Sequence, residues 1–405
     1  MSNNAKTKHA NNVSEPFVRV VRRQDITRWQ AFLIKLFAIV ISCVICLFIL
    51  QLFSGNTPSE IADAIASKVF GTVSIERTMA AYPSNPVEGF LRGLFSSSAF
   101  WRTIREAMIL LCVALALTPA FKMRFWNTGG EGQILAGGMA TATVMIFCAD
   151  KLSPVMLCLA MLVSSIAAGF VWGIIPAIFK AKWNTNETLF TLMMNYVAIQ
   201  LVAFFNIIWD TSGGAGYIGL INTQTRAGWI PVDLMSGFLG SENYVIHLAV
   251  IVLLAVFIYI YMNYTKHGFE ISVVGESENT ARYAGIGVKS VIIRTMAISG
   301  ALCGFAGYML VAGSTHSITT GTADGRGFTA IIVAWLSKFN PFLMIFYSFL
   351  VVFLDLGSSA IADRCHLNVA AAEVMTGIVL FFIIGSDFFA NYRLVFRTAH
   401  KKEVK

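Results

Sequence analysis

A succession of long apolar runs limits the folds open to this sequence more than any other feature. A run of about 20 apolar residues can cross a bilayer as an α-helix, which satisfies its own backbone polar groups. Only 13% of the 405 residues are charged, against about 25% in a typical soluble domain. We therefore predict an all-α polytopic membrane protein. Ten runs serve as predicted spans: residues 32–53, 107–121, 134–149, 154–179, 188–209, 244–264, 294–313, 328–336, 342–362 and 369–384.

Basic residues, which give a formal net charge of +8, gather at the two chain ends and in short connections. Proteins of the bacterial inner membrane carry such residues on the cytoplasmic side, so both termini are predicted to be cytoplasmic in a multi-pass protein of that membrane. The first run follows a long polar stretch and is typical of a retained signal-anchor helix. The expected organisation is a basic cytoplasmic segment (1–31), a first transmembrane helix (32–53), an extracytoplasmic connection (54–105), a membrane-embedded core (106–390) and a basic cytoplasmic tail (391–405).

The extracytoplasmic connection contains two apolar-polar patterns of helical period, at residues 61–69 and 87–104. Pro83 and Pro86 lie between them and break the chain. We interpret this region as a small folded element; a simple linker is the alternative.

Several functions are made improbable by what the sequence lacks. The basic residues form no patch interleaved with exposed aromatic residues, so no nucleic-acid binding is expected. All seven cysteines lie in or beside apolar runs, and the CxxC of Cys43 and Cys46 falls inside a continuous run, where a packed, inert pair is expected. The six histidines lack ligand spacing, and no hydrolase or phosphate-loop motif is present. We expect no catalytic residue, metal or cofactor, so any ATP hydrolysis requires another chain.

The stretch from Trp126 to Gln133 interrupts the apolar sequence with three glycines and a glutamate. Glycines allow the backbone to leave a helix, and non-helical backbone at membrane depth persists only where protein or a water-filled cavity satisfies it. An ionisable residue such as Glu131 in this position is by default a functional-site hypothesis. We predict a broken helix that lines a solute pathway; the alternative is an interfacial turn with Glu131 among the headgroups.

A second interruption occupies the corresponding place in the other half of the chain. Its Gly-rich stretch, 321–327, precedes the run 328–336, which is too short to cross the membrane. Paired interruptions of this kind indicate a substrate path between two inverted-repeat-like halves, each with a broken helix. The neutral polar and aromatic residues at both breaks suit an uncharged, hydroxylated solute. The predicted translocation pathway comprises Trp126, Asn127, Gly130, Glu131, Gln133, Asn195, Gly327, Phe328 and Thr329.

The charged connection 266–289 contains a predicted short helix over residues 277–284. Ser277 is placed as its N-cap, and Gly285 as the residue that ends it. A stiff, charged helix between two spans is a surface on which a partner protein could dock and exert force. The alternative is a solvated helix without a partner.

Two further acidic residues fall in apolar runs, Asp355 in 342–362 and Glu373 in 369–384. Either could line a pathway, although Asp355 could equally cap or kink its helix and Glu373 suits the interface better. They keep open a different class of function, a stand-alone secondary transporter in which Asp355 and Glu131 couple transport to an ion gradient.

Four motifs occur together within residues 100–390. The first is WNTGGEGQ (126–133), the second combines NE (186–187) with TLMMNY (191–196), the third is the connection 275–286, and the fourth is GRGFTAIIVA (325–334). In combination they resemble the permease subunits of ABC importers of the branched-chain amino acid, ribose and simple-sugar type. The strongest similarity is to the branch that takes up nucleosides with a lipoprotein receptor.

The resemblance implies a permease that pairs with a second permease, expected to be a different chain, with a cytoplasmic ATPase and with an extracytoplasmic substrate-binding protein. A nucleoside or simple sugar is the expected solute. An amino acid remains open, but a zwitterion usually requires paired charges or free helix ends. Four departures from the family pattern, Trp126, Thr128, Trp335 and Ser337, cluster at the two breaks, so the solute could differ from the usual one. The implied ATPase-coupling residues are Glu276, Asn279, Ala281, Arg282, Tyr283 and Gly285.

Overall fold

The computed structural model of the protein describes residues 18–23, 57–81, 86–210, 218–230 and 245–396, with scattered positions from 30 to 49. The chain divides into two compact units, one formed by Met1–Ala62 with Ile361–Lys405 and the other by Asp63–Ala360. The predicted span 32–53 lies largely outside the described residues, and its described positions are helical. The elements, in chain order, are β1 (Val18–Arg22), α1 (Pro58–Phe70), α2 (Thr72–Ala81), α3 (Pro86–Phe95), α4 (Ser98–Lys122), α5 (Gly130–Phe147), α6 (Pro154–Trp183), α7 (Glu187–Trp209), α8 (Val245–Tyr264), α9 (Lys266–Glu276), α10 (Glu278–Tyr283), α11 (Val288–Leu310), α12 (Arg326–Leu336), α13 (Pro341–Cys365), α14 (Val369–Asn391) and β2 (Tyr392–Phe396).

The described residues include six helices that are long and apolar enough to cross a membrane. They are α4, α6, α7, α11 with its extension to Thr315, α13, and the part of α14 from Glu373 to Asn391. A seventh arises if α8 and α9, which are bent by 67° at a short break, form one span. The protein is therefore a multi-pass membrane protein whose described residues are helical apart from two short strands.

Two of the ten predicted spans differ in character from ordinary crossing helices. Helix α5 has 18 residues, but its first turn carries Glu131 and Gln133, which lower its apolar character. Helix α12 is apolar but has only 11 residues. Both helices begin directly after a predicted break.

Helix α11 forms the centre of the larger unit because it packs against α4, α5 and α6. Its glycines allow backbones to approach closely, as small residues commonly do between membrane helices. A Cβ atom on Gly300 would lie 2.9 Å from the Cα of Gly173, and one on Gly304 would lie 3.0 Å from the Cα of Gly169. The small residues of this segment therefore fix the spacing of the bundle that carries the candidate site.

The helical pieces predicted before the core are present, but with different limits. Helix α1 covers the first piece, while the second is divided between α3 and α4 at Ser96 and Ser97. The side chain of Ser97 accepts a hydrogen bond from the backbone N–H of Phe100, so it caps a helix that begins well before the apolar run. Helix α2 was not predicted.

The two strands were also not predicted. Strands β1 and β2 come from opposite ends of the chain and pair antiparallel, with Val18 opposite Phe396 and Arg22 opposite Tyr392. The pairing involves parts of the N-terminal segment and C-terminal tail that the sequence suggested to be merely basic and polar.

Candidate translocation site

The first break in the helical sequence lies further upstream than its glycines suggest. Helix α4 ends at Lys122 and α5 begins at Gly130, so Glu131 and Gln133 already belong to the first turn of α5. The left-handed residue in the connection is Arg124, with φ 59°, and none of the three glycines has a positive φ. The expectation that the glycines free the backbone to leave a helix was therefore wrong.

The glycines of the first break permit close packing instead. A Cβ atom on Gly132 would lie 3.0 Å from Oδ1 of Asn195, and one on Gly129 would lie 3.0 Å from Cβ of Thr191. Both distances are tighter than ordinary van der Waals contact. Helix α7 thus lies directly against the start of α5, which sequence alone had not indicated.

Glu131 joins the N-termini of α5 and α12. Its Oε1 accepts a hydrogen bond from the backbone N–H of Gly325, and its Oε2 accepts one from Gly327, both at 2.8 Å. These donors belong to the N-terminus of α12, whose partial positive charge favours a carboxylate. Glu131 is only 8% exposed, so its charge is balanced by protein groups rather than by water.

The two helix N-termini approach each other closely at their glycines. A Cβ atom on Gly130 would lie 3.5 Å from the Cα of Gly327. On Gly327 an added Cβ would overlap the backbone nitrogen of Glu131 and lie 2.8 Å from Oε2 and 2.9 Å from Cα of that residue. The carboxylate can reach α12 only because position 327 has no side chain.

A second polar network lies behind this contact. Nδ2 of Asn127 donates to Oγ of Ser299 at 3.2 Å, and Oδ1 of Asn127 accepts from Nε2 of Gln133 at 3.2 Å. Asn195 of α7 holds the other side, because its Oδ1 accepts from the N–H of Gly132 and its Nδ2 donates to the carbonyl of Thr128. All three amide side chains are buried and bonded to protein, so they fix the shape of the break.

An aromatic cluster lies beside the polar network. The indole rings of Trp126 and Trp335 stack with centroids 5.6 Å apart at an interplanar angle of 20°. Phe121 meets both indoles edge-on, and Phe339 meets Trp335. Both tryptophans are 47% exposed and Phe328 is 44% exposed. Among the predicted pathway residues, Trp126 and Phe328 are thus the ones with large accessible apolar surfaces.

The sequence reasoning missed an ion pair that anchors α12. Nη2 of Arg326 lies 2.7 Å from Oε2 of Glu106 on α4, and Glu106 also pairs with Arg105 at 3.1 Å. Arg326 follows Gly325 directly, so the pair positions the helix end that Glu131 caps. The sequence did contain two signals for this pair. Arg326 is a basic residue in the Gly-rich motif and Glu106 is an acid near the start of an apolar run, but the two lie far apart in sequence.

Three remaining predicted residues occupy different settings. Thr329 is half-buried in the first turn of α12, where its Oγ1 donates to the carbonyl of Gly325 at 3.1 Å. Asp355 on α13 and Glu373 on α14 are both exposed.

The predicted helix in the charged connection is confirmed as α10. Oγ of Ser277 accepts a hydrogen bond from the N–H of Thr280, and Gly285 adopts φ 75° directly after the helix. Ala281 is fully buried, whereas Tyr283 is 94% exposed. Arg282 and Glu278 form an exposed i,i+4 pair at 3.4 Å. The other predicted coupling residues, Glu276 and Asn279, are also exposed.

Helix α9 connects α10 to the end of α4. Gly275 lies directly against the carbonyl of Lys122, and an added Cβ there would also lie 3.2 Å from the Cα of Met123. Glu270 of α9 pairs with Arg294 of α11 at 2.8 Å. Helix α9 thus packs against the start of residues 123–129, the connection that leads into Glu131.

Comparison with known proteins assigns this arrangement to a family. The profile described as the permease component of branched-chain amino acid transport systems matches residues 100–384. The chain belongs to this permease family. The matched residues contain α5 and α12, the contact through Glu131 and the α9–α10 connection, so the family's shared region includes the whole candidate site.

Permeases of named ABC transporters are among the relatives. The guanosine permease NupP of Bacillus subtilis is 31% identical over 292 residues, which cover 70% of this chain and 80% of the relative. The nucleoside permease NupB of Lactococcus lactis is 26% identical, with 81% and 92% covered. The glucose permease TsgB13 of Haloferax volcanii is 28% identical, with 75% and 81% covered.

These relatives support the function indicated by the sequence, a membrane-spanning permease subunit of an ABC importer. The permease family is a transporter family rather than an enzyme family, and its ABC members work with an ATPase and a substrate-binding protein. Nothing in the comparisons favours a stand-alone transporter driven by an ion gradient.

Proposed function

We propose that this permease forms the pathway by which a nucleoside or simple sugar enters a bacterial cell across the cytoplasmic membrane. The relatives named for guanosine, nucleoside and glucose transport support this solute class. The observation that carries the proposal is the double hydrogen bond of Glu131 to the N-terminus of α12. Because this carboxylate occupies the helix end, no free helix N-terminus is left there for the carboxylate of an amino acid.

The solute passes between the two broken helices. Trp126 and Phe328 offer accessible aromatic faces to it, and Thr329 offers a hydroxyl. The hinge of this proposal is the contact between the starts of α5 and α12, formed by Gly130, Glu131 and Gly327. The buried side-chain amides of Asn127, Gln133 and Asn195 keep this hinge in its shape. Transport requires weak contacts that form and break, so these neutral groups suit passage better than a tight pocket would.

The permease works with three other proteins in this proposal. A cytoplasmic ATPase docks on residues 276–285, a second permease of different sequence completes the pathway, and a substrate-binding protein delivers solute from outside. In this proposal the chain has ten spans and both termini in the cytoplasm, so that α10 lies on the ATPase side. Closure of the ATPase pushes α10, and the contact of Gly275 with the end of α4 transmits the movement to the broken helices.

Reversal of the charge at Arg282 tests the coupling surface. We expect Arg282→Glu to lower ATP-dependent uptake by more than tenfold and to leave folding intact, because the exposed pair with Glu278 contributes only about 0.2–1 kcal/mol. The measurement is solute uptake per ATP hydrolysed by the complete complex. The matched control is Lys289→Glu, which makes the same charge change at an exposed position outside α10. Coupled uptake at the wild-type level in Arg282→Glu would remove this loop from the coupling path.

The proposed function is tested with the complete complex. The chain is purified with its bound partners, which are identified by mass spectrometry, and the complex is reconstituted in vesicles with the binding protein outside and ATP inside. Labelled adenosine, glucose and leucine are supplied in turn. We expect ATP-dependent accumulation of adenosine or glucose. Accumulation of leucine alone would overturn the solute class, and transport by the single chain without ATP would overturn the importer mechanism.

A further inference from the structure

The strand pair at the chain ends lies directly beside a membrane span. Helix α14 ends at Asn391 and β2 begins at Tyr392, with no residue between them. The part of α14 from Glu373 to Asn391 is one of the candidate spans. A five-residue strand extends about 17 Å, so the ribbon begins at the surface of the bilayer and remains near it. This proximity follows from the covalent connection and holds on whichever side the termini lie.

The register concentrates arginines at the end of the ribbon nearest the membrane. Arg22 lies opposite Tyr392, and Arg393 lies opposite Val21. The N–H of Arg23 donates to the carbonyl of Asn391 at 2.9 Å, so the pairing continues to the last helical residue. We call Arg23 and Arg393 the basic end. The residue pairs at the other end of the ribbon are mostly apolar. Val18 pairs with Phe396 and Val20 with Leu394, and Arg19 pairs with Val395.

The arginines of the basic end are accessible to an external ligand. Arg23 and Arg393 are exposed, and within the described part of the chain their guanidinium groups form no ion pair. Residues 19–23 and 387–393 together contain four arginines and a single acid, Asp387. Because side chains alternate between faces along a strand, Arg23 and Arg393 fall on the same face of the ribbon. Two exposed cations on one face form a surface that suits an external anion.

The aromatic residues at the same level fit a bilayer interface. The rings of Phe388 and Tyr392 stack with centroids 5.2 Å apart, and Phe389 is exposed. Aromatic residues with a polar edge are enriched at the depth of the lipid headgroups. The arginines therefore lie where phosphate groups are most concentrated.

We propose that the basic end binds the phosphate of an anionic phospholipid. A guanidinium group matches the geometry of phosphate with two parallel hydrogen bonds, and basic clusters beside a span attract anionic headgroups. The ribbon needs residues from both ends of the chain, so the bound lipid also ties the N-terminal segment to the last span. None of these residues belongs to the predicted translocation pathway, so the proposal does not depend on the identity of the solute.

The test measures binding of phosphatidylglycerol to the purified full-length chain in phosphatidylcholine nanodiscs. The variant Arg23→Gln/Arg393→Gln removes two charges; we expect affinity for phosphatidylglycerol to fall by about thirtyfold. The matched control is Arg77→Gln/Lys289→Gln, which removes two exposed charges elsewhere and is expected to bind like the wild type. If the glutamine pair fails to fold, Arg23→Lys/Arg393→Lys carries the test, because loss of the two-pronged contact is expected to weaken binding several-fold.

Wild-type affinity for phosphatidylglycerol in both arginine variants would overturn the proposal. So would an equal loss of affinity in the control pair, because it would indicate attraction to the overall charge instead of a site. If the glutamine pair retained the lipid but lost the co-purifying ATPase, the basic end would be a protein-docking surface, and the lipid site would again be refuted.

Discussion

Replacement of Gly327 by alanine is expected to abolish ATP-dependent uptake. The single added methyl group would overlap the backbone nitrogen of Glu131 and lie 2.8 Å from the carboxylate oxygen that binds the N–H of Gly327. The obstructing atoms include backbone, so a change of side-chain rotamer cannot relieve the overlap. The two helix ends must separate, which breaks the capping contact and moves the proposed hinge.

The expected cost in stability is that of an overpacked core, about 1–3 kcal/mol or more. Intrinsic helix propensity acts in the opposite direction, because alanine is favoured over glycine within a helix by about 1 kcal/mol. Any destabilisation that is observed therefore reflects the steric contact. The measurements are the thermal unfolding midpoint of the purified variant and its uptake of labelled solute in the complete complex.

Gly377→Ala is the matched control for this substitution. Gly377 lies within α14, and a Cβ atom added there meets nothing within 4 Å. We expect this variant to be as stable as the wild type or slightly more stable, with normal uptake. Normal uptake by Gly327→Ala would mean that the two helix ends need not touch during transport, and the proposed hinge would be wrong.

The sequence predicted those parts of the site whose signals are local. Ser277 before Glu278 and Gly285 after Tyr283 are a cap and a terminator only a few residues apart, and α10 forms between them. The two interruptions of the apolar pattern likewise correspond to real breaks, at residues 123–129 and before Arg326. Capping preferences and apolar periodicity act within one or two helical turns, so a single sequence is sufficient to find them.

Contacts between distant segments could not be read from the sequence in the same way. The pairing of Glu106 with Arg326 and of β1 with β2 joins residues whose sequence neighbours carry no shared pattern. The glycines of the first break were recognised, but their role was misjudged. The chain turns at Arg124, and in the second break at Asp324 and Gly325, all with positive φ. Close approach of another backbone leaves no mark in a sequence except the glycine itself.

Glu131→Gln is expected to uncouple the two broken helices with almost no change in size. The carboxylate accepts one hydrogen bond on each oxygen, from Gly325 and from Gly327. A glutamine amide offers only one acceptor, and its NH₂ group would face the other N–H, donor against donor. One buried donor is then left without a partner, at a cost of about 1–3 kcal/mol. Loss of the charge at the helix N-terminus adds about 0.3–2 kcal/mol.

We therefore expect Glu131→Gln to unfold at lower temperature and to lose most ATP-dependent uptake. Glu76→Gln, the same change at an exposed position on α2, should leave both quantities unchanged. The result also separates the importer from an ion-coupled transporter. If Glu131 bound a coupling proton, glutamine would mimic the protonated state and allow passive solute exchange without ATP. In the ABC importer the variant instead loses transport in both directions, because the carboxylate holds the hinge and carries no proton across.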